Sequence, residues 1–420
     1  MKVLGIVVEY NPFHNGHKYH IEKSLEATGC DYTVAVMSGN FVQRGEPAII
    51  NKWARTKMAL LSGVDLVIEI PSVYAVSSAE FFAYGAVKLL ESIGIVDYLC
   101  FGSEEGDLSN LISIADILID EDMLYKEQLK TFLKSGLSFP AARASALSKC
   151  FNFSGKFNIE HLLRSSNNIL AIEYIKALKR IDSKITPYTI KRLSNNYKDK
   201  ELSGNISSAT AIRGHIKETY NQLDNSHIFE LEQFKNSLSP ISISILEDEF
   251  KSGRGPVFPE LFENIILANL RQYGLQDIEQ LQDVSEGLEN RIKYSAENAG
   301  DYGTLIEMLC AKRYPKTRIQ RILFYSMTGL NKNIFRAFDG PAYIRVLGFN
   351  SKGRKLLSKI LKHSSLPLIT KASAIDKSIS NPMKDMFRLE NLATDLYVLA
   401  YHDKAQRMAG QEYRNNIVLV

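Results

Sequence analysis

Three histidines, His14, His17 and His20, fall inside the segment EYNPFHNGHKYH, Glu9 to His20. Asn15 and Gly16 separate the first two, and Asn11-Pro12 precedes them. Imidazoles three residues apart across the start of a helix face the same point and can donate hydrogen bonds to phosphate oxygens. Such bonds help most when they tighten as phosphorus gains a fifth ligand. Zinc could use the same spacing, but no cysteine or carboxylate cluster nearby completes a site. A second group lies in ISSATAIR, Ile206 to Arg213, where Ser207, Ser208 and Thr210 open a helix and Arg213 follows one turn later. Those hydroxyls are ordinary N-caps on one reading. On the other, they and Arg213 grip phosphate.

The elements around these residues decide where they point. VLGIVV is a continuous apolar run, as expected of a strand buried on both faces. The chain then turns through Asn11-Pro12, and a helix is expected from Gly16 to about Ala27. A helix start presents free N–H groups and partial positive charge, and Gly16 lets a ligand approach its backbone. YTVAVM, DLVIEI and YLCF read as further strands, with helical patterns at 51–62 and 78–91 between them. Strands alternating with helices predict a Rossmann-like parallel sheet, which binds ligands at the carboxyl ends of its strands. ITPYTIKRL is one more strand candidate. Beyond about Gln222 almost all periodic segments are helical. The expected organisation is α/β: a nucleotide-binding catalytic domain over 1–225, then a mainly helical, basic domain over 226–420.

The 420 residues carry a net charge of +4, and 45% are hydrophobic. No apolar run approaches the roughly 18–20 residues needed to cross a bilayer. No secretory leader is read at the N-terminus. Four scattered cysteines form no CxxC, so structural zinc and a disulfide framework are not expected, and a reducing cytoplasm is. The modest net charge hides an asymmetry. Residues 312–362 hold 13 Lys and Arg against a single acid, Asp339. That is either a solvated face or the footprint of a polyanion-binding surface. Lys312, Arg313, Arg318 and Arg321 fall in one segment with helical periodicity, and Arg345 falls in the next. These five are the candidate RNA contacts. The loop SGNFVQRGEPA, 38–48, follows the second strand and faces the same crevice as the histidines. Its Asn40, Gln43 and Arg44 could hold a small substrate, or the loop could serve only its own structure.

HNGH after the first strand resembles the signature of the HIGH-type nucleotidyltransferase superfamily, and ISSATAIR resembles the ISSxxxR element that closes over β- and γ-phosphates there. The blocks MSGNFVQRGEPAIINKWARTKMAL, GVDLVIEIP, FGSEEGD, SSNNILAIEYIKAL, KRYPKTRIQRIL and YIRVLGFNSKGRKLL extend the likeness over nearly the whole chain. Together they resemble the bacterial tRNA(Met) cytidine acetate ligases. That resemblance implies activation of acetate by ATP to acetyl-adenylate, then acetylation of N4 of the wobble cytidine in elongator tRNA(Met). It makes His14 and His17 the catalytic pair. It places ATP against Val7, Val8, Glu9, Tyr10, Asn11, Pro12, Phe13, His14, Asn15, Gly16, His17, Lys18, Tyr19 and His20. Gly102, Asn167, Arg192 and Leu193 carry over as further ATP contacts, and Ser207, Ser208 and Arg213 as the phosphate clamp. Magnesium could accompany the nucleotide, while no resident metal, membrane or protein partner is expected. Gly102 suits close nucleotide approach, whereas Asn167 could equally be an N-cap and Arg192 a surface residue. Two other functions compete: a small-molecule nucleotidyltransferase, and a non-catalytic tRNA-binding protein that holds ATP structurally.

Overall fold

The apolar N-terminal run forms β1 (Val3–Val8), an interior strand of a sheet of eight. A computed structural model describes residues 1–120, 123–150, 159–192, 208–222, 231, 234–285, 287–376 and 381–420. Parallel pairing adds β2 (Tyr32–Ser38) and β3 (Leu66–Ile70) on one side of β1. On its other side stand β4 (Tyr98–Ser103) and β5 (Thr186–Lys191), also parallel. The helix Asn15–Thr28 leads from β1 to β2, and the chain reaches β4 only after β3. The order therefore reverses between β1 and β4, the place where such sheets open a ligand crevice at their carboxyl ends.

The second half of the chain does not stay out of this sheet. The run Ile344–Phe349 is β6, antiparallel to β3, and β7 (Leu368–Ile369) and β8 (Val418–Leu419) pair with it. The helical reading of this segment is thus corrected. The first five residues of β6 are buried, so it shows no in–out alternation, and periodicity alone does not separate such a run from a buried helix. Residues 226–420 contribute three of the eight strands as well as the helices.

Two apolar cores flank the sheet. One joins the helices Ala79–Ile93, Ser166–Arg180 and Ser351–His363 to one face, through residues such as Val87, Ile172 and Leu356. The other seats Ile21, Met58 and Ile212, from helices on the opposite face, against Leu4, Ile6 and Ala35. Both faces are covered, which is why the strand sequences are almost continuously apolar.

Candidate active site

The first helix begins at Asn15, and its N-cap is His14 in extended backbone conformation. His14 Nδ1 accepts the Gly16 N–H at 3.0 Å, and His17 Nδ1 accepts the His14 N–H at 3.2 Å. This is a capping box built from two imidazoles in place of Ser and Glu. Its chemical consequence lies in the tautomer. With both Nδ1 atoms accepting backbone protons, a neutral ring carries its own proton on Nε2. Each histidine then has its Nε2–H as the remaining donor, and the rings stack with centroids 3.7 Å apart.

The surroundings keep both rings neutral. Burial, then the charges of Arg192 and Arg213, push His14 down to about 3. Burial, His14 and Arg192 push His17 well below its ordinary value. His20 is lowered to about 4 by burial and by Arg192, with its ring against the Phe101 backbone. All three therefore offer hydrogen bonds without a positive charge, and the two arginines supply the charge.

Those arginines come from opposite sides of the crevice. Arg192 follows β5, and its N–H bonds Ser103 O at the end of β4. Gly102 lies inside β4, and a Cβ there would stand 3.1 Å from Arg192 Cγ. A side chain at this position would crowd the arginine stem. Arg213 reaches from the helix Ala209–Gln222, which Ser208 caps by accepting the Ala211 N–H. It donates to Asn11 O at 2.8 Å and stands 3.6 Å from Glu46.

The floor beneath is held by Arg55, a fully buried guanidinium whose partners are backbone carbonyls. It donates to Glu9 O at 2.6 Å, to Ser38 O at 3.1 Å, and to Gly39 O and Ile50 O. It thereby ties the carboxyl ends of β1 and β2 together, and burial lowers its pKa to about 10. Glu9 accepts the Gln43 N–H at 2.8 Å and braces the 38–48 loop. Tyr10, with φ of 49°, lays its ring edge-on to His17, and Phe13 packs beside both.

Several expected residues are occupied elsewhere. Asn15 is tied to the 236–237 backbone, and Lys18 faces outward toward Glu22. Asn167 sits in the first turn of its helix and donates to Glu104 Oε1 at 2.6 Å, shaping the loop after β4. Asn40 is buried, accepting the Lys52 N–H and donating to Thr394, so it builds the loop and does not face the crevice. Leu193 and Ser207 lie outside the described residues. Two RNA-contact candidates are corrected outright. Arg345 is a buried β6 residue beside Glu412, and Arg321 is buried with its Nε 3.0 Å from Asp283. Arg318 is half-buried against Asp283 O and Ser285, while Lys312 and Arg313 are exposed. Arg55 and Glu46 have no role in the motif reading, although both stand within the MSGNFVQRGEPAIINKWARTKMAL block.

The sequence matches the HIGH Nucleotidyl Transferase family over residues 1–412. A tRNA(Met) cytidine acetate ligase of Acetivibrio thermocellus is 52% identical over 423 residues, covering 100% of both chains. One of Thermosipho africanus is 41% identical over 437 residues, again covering 100% of both. The crystal structure of Thermotoga maritima TmcAL bound with alpha-thio ATP aligns at a TM-score of 0.91 and 39% identity, covering 100% of both chains. Its apo form I aligns at 0.93.

Proposed function

The chain belongs to the tRNA(Met) cytidine acetate ligase family, and from that premise and the crevice geometry we infer that it activates acetate with ATP and acetylates N4 of the wobble cytidine of elongator tRNA(Met). The observation that carries the first step is the pair of neutral imidazoles, each with Nδ1 engaged so that its proton sits on Nε2, beside two arginines. An acetate oxygen attacks the α-phosphorus, and the bond to the β-phosphate oxygen breaks. Pyrophosphate leaves with that electron pair. No general base is needed, because the nucleophile is already an anion. The step needs positioning and charge neutralisation, which His14, His17, the helix start, Arg192 and Arg213 are placed to give. In the second step the N4 lone pair attacks the acetyl carbonyl, AMP departs and N4 loses a proton. An anticodon base is single-stranded and can be splayed into such a crevice.

Magnesium belongs to this reading as a companion of the nucleotide. Among the described residues no group of three or more His, Cys, Asp or Glu could hold a metal ion. No helix among them is long and apolar enough to cross a membrane, and a tRNA substrate fits the cytoplasm. Incubating the enzyme with ATP and acetate, without tRNA, is expected to yield acetyl-AMP and pyrophosphate. Pyrophosphate release that ignores acetate and follows a phosphorylated cofactor precursor would instead support the small-molecule transferase.

For tRNA the reading rests on the exposed basic residues left after burial is accounted for. Lys312, Arg313 and Lys316 lead into the helix Lys316–Thr328, with Arg318 beside them. Lys352, Arg354 and Lys355 form an exposed basic face on the helix Ser351–His363. Phosphate contacts release counterions, so reversing Lys312 and Arg313 should lower the slope of log affinity against log salt by about 0.7–0.9 per contact. An unchanged slope would return these residues to a solvated face.

A further inference from the structure

The tip of the 38–48 loop meets both Arg213 and the helix Lys316–Thr328. Gly45 adopts φ of +82°, and a Cβ there would lie 2.4 Å from the Arg321 backbone nitrogen and 2.5 Å from the Gln320 carbonyl carbon. The loop is thus pressed onto the backbone of the helix Lys316–Thr328. The next residue, Glu46, accepts from Gln320 Nε2 at 2.9 Å through Oε1. Its Oε2 stands 3.6 Å from the Arg213 guanidinium, with both side chains about one-fifth exposed. One carboxylate therefore holds Arg213 and the helix that the exposed Lys312, Arg313 and Lys316 lead into. A triphosphate is a stronger partner for Arg213 than one carboxylate, and the guanidinium fork cannot give its full set of donors to both.

We propose that Glu46 parks Arg213 while the nucleotide site is empty and yields it to the triphosphate, and that Gln320 links this hand-over to RNA binding on the adjoining helix. The proposal rests on the function inferred above for its two ligands. Glu46 is then a positioning residue, acting through Arg213. If RNA binding shifts the hold of Gln320 on Glu46, ATP affinity must change with it, and ATP must change RNA affinity by the same factor.

The test measures ATP dissociation constants at fixed salt with acetate omitted, with and without tRNA(Met), and thermal midpoints to confirm folding. Glu46→Gln keeps a hydrogen-bonding side chain but removes the charge that competes for Arg213. It should tighten ATP binding about two- to fivefold, the worth of one partly exposed ion pair. The gain should vanish when Arg213→Gln is already present. Gln320→Leu keeps the Glu46–Arg213 pair, and should bring the ratio of ATP affinities with and without tRNA from its wild-type value to one. Three outcomes overturn the proposal: unchanged or weaker ATP binding in Glu46→Gln, a gain that persists without Arg213, or a wild-type ratio of one. Failure of the wild-type enzyme to make acetyl-AMP would strike the parent function instead, since these ratios are read without acetate.

Discussion

The crevice at β1 and the junction between β3 and β6 both bury polar side chains, and they treat charge in opposite ways. In the crevice the histidines are held neutral and keep a donor in reserve. At the junction the charges are retained and spent on one another. Lys52 Nζ lies 2.5 Å from both Glu69 and Glu412, all three buried, and Arg345 stands 3.5 Å from the second Glu412 oxygen. Glu390 accepts from the Ser72 backbone and hydroxyl, and burial with Glu69 nearby raises its pKa to about 8. A protonated Glu390 leaves two carboxylates for two cations. The junction balances its charges and joins Lys52, β3, β6 and the C-terminal helices, although Arg345 Nε and Nη1 and Glu412 Oε2 find no hydrogen-bond partner among the described residues. The comparison separates neutral donors kept for a ligand from buried charges that balance one another.

The largest effect is expected where that balance is broken. Lys52→Ala would leave Glu69 and Glu412 facing each other without their shared cation, at a cost of about 3–5 kcal/mol, the usual loss on breaking a buried pair. Urea unfolding should show this as a collapse of the midpoint, with activity lost because the fold is lost. Near-wild-type stability would mean that water already shares the junction.

The crevice should respond the other way, losing rate and keeping stability. Asn is among the best N-caps, so His14→Asn should preserve the helix start, whereas His14→Ala should lose about 1 kcal/mol of it. In either variant acetyl-adenylate formation should slow about 10²–10³-fold, as for removal of one transition-state donor. A wild-type rate of pyrophosphate release in His14→Asn would take this histidine out of the chemistry.

What could be read in the sequence tracks the distance over which each feature is decided. The HNGH pair sits within one turn of its own backbone, so the strand, the turn and the helix start were all legible in one contiguous segment. The alternation from β1 to β4 was legible for the same reason. Arg55 was not, because its partners at Glu9, Ser38 and Gly39 are set by tertiary packing. Glu412 meets Lys52 across 360 positions, and nothing local marks either as half of a pair. The run of 13 cations over 312–362 was real, but composition does not say which way a side chain points. Arg321 and Arg345 point inward to Asp283 and Glu412. Hiding β6 among basic helical segments concealed that inward turn.

The smallest expected effect separates the two regions by the sign of their pH dependence. His14 has a folded-state pKa of about 3 against an ordinary 6.5, so below pH 6.5 the unfolded chain binds a proton that the folded one refuses. Stability must therefore fall as pH drops through that window, by about 1 kcal/mol for this residue between pH 6.5 and 5.5. Glu390 runs in the reverse sense. Its folded value of about 8 exceeds the ordinary 4.5, so its contribution is lost as pH rises between them. Urea unfolding of the wild type, His14→Asn and Glu390→Gln across pH 5.5 to 8.5 reads both limbs. The first variant should make the acid limb shallower by the share of His14, leaving that of His17 and His20, and spare the alkaline limb; the second should do the opposite, since Gln imitates a protonated Glu that keeps accepting from Ser72. The histidine resonances give an independent check, because His14 and His17 should show no titration between pH 8 and 5. A His14 that titrates near 6.5, or an acid limb that survives His14→Asn unchanged, would mean its imidazole is solvated and able to carry charge into the phosphate site. The crevice would then resemble the junction, with charge present before the ligand arrives, and the division drawn between the two would fail at the histidine on which it most depends.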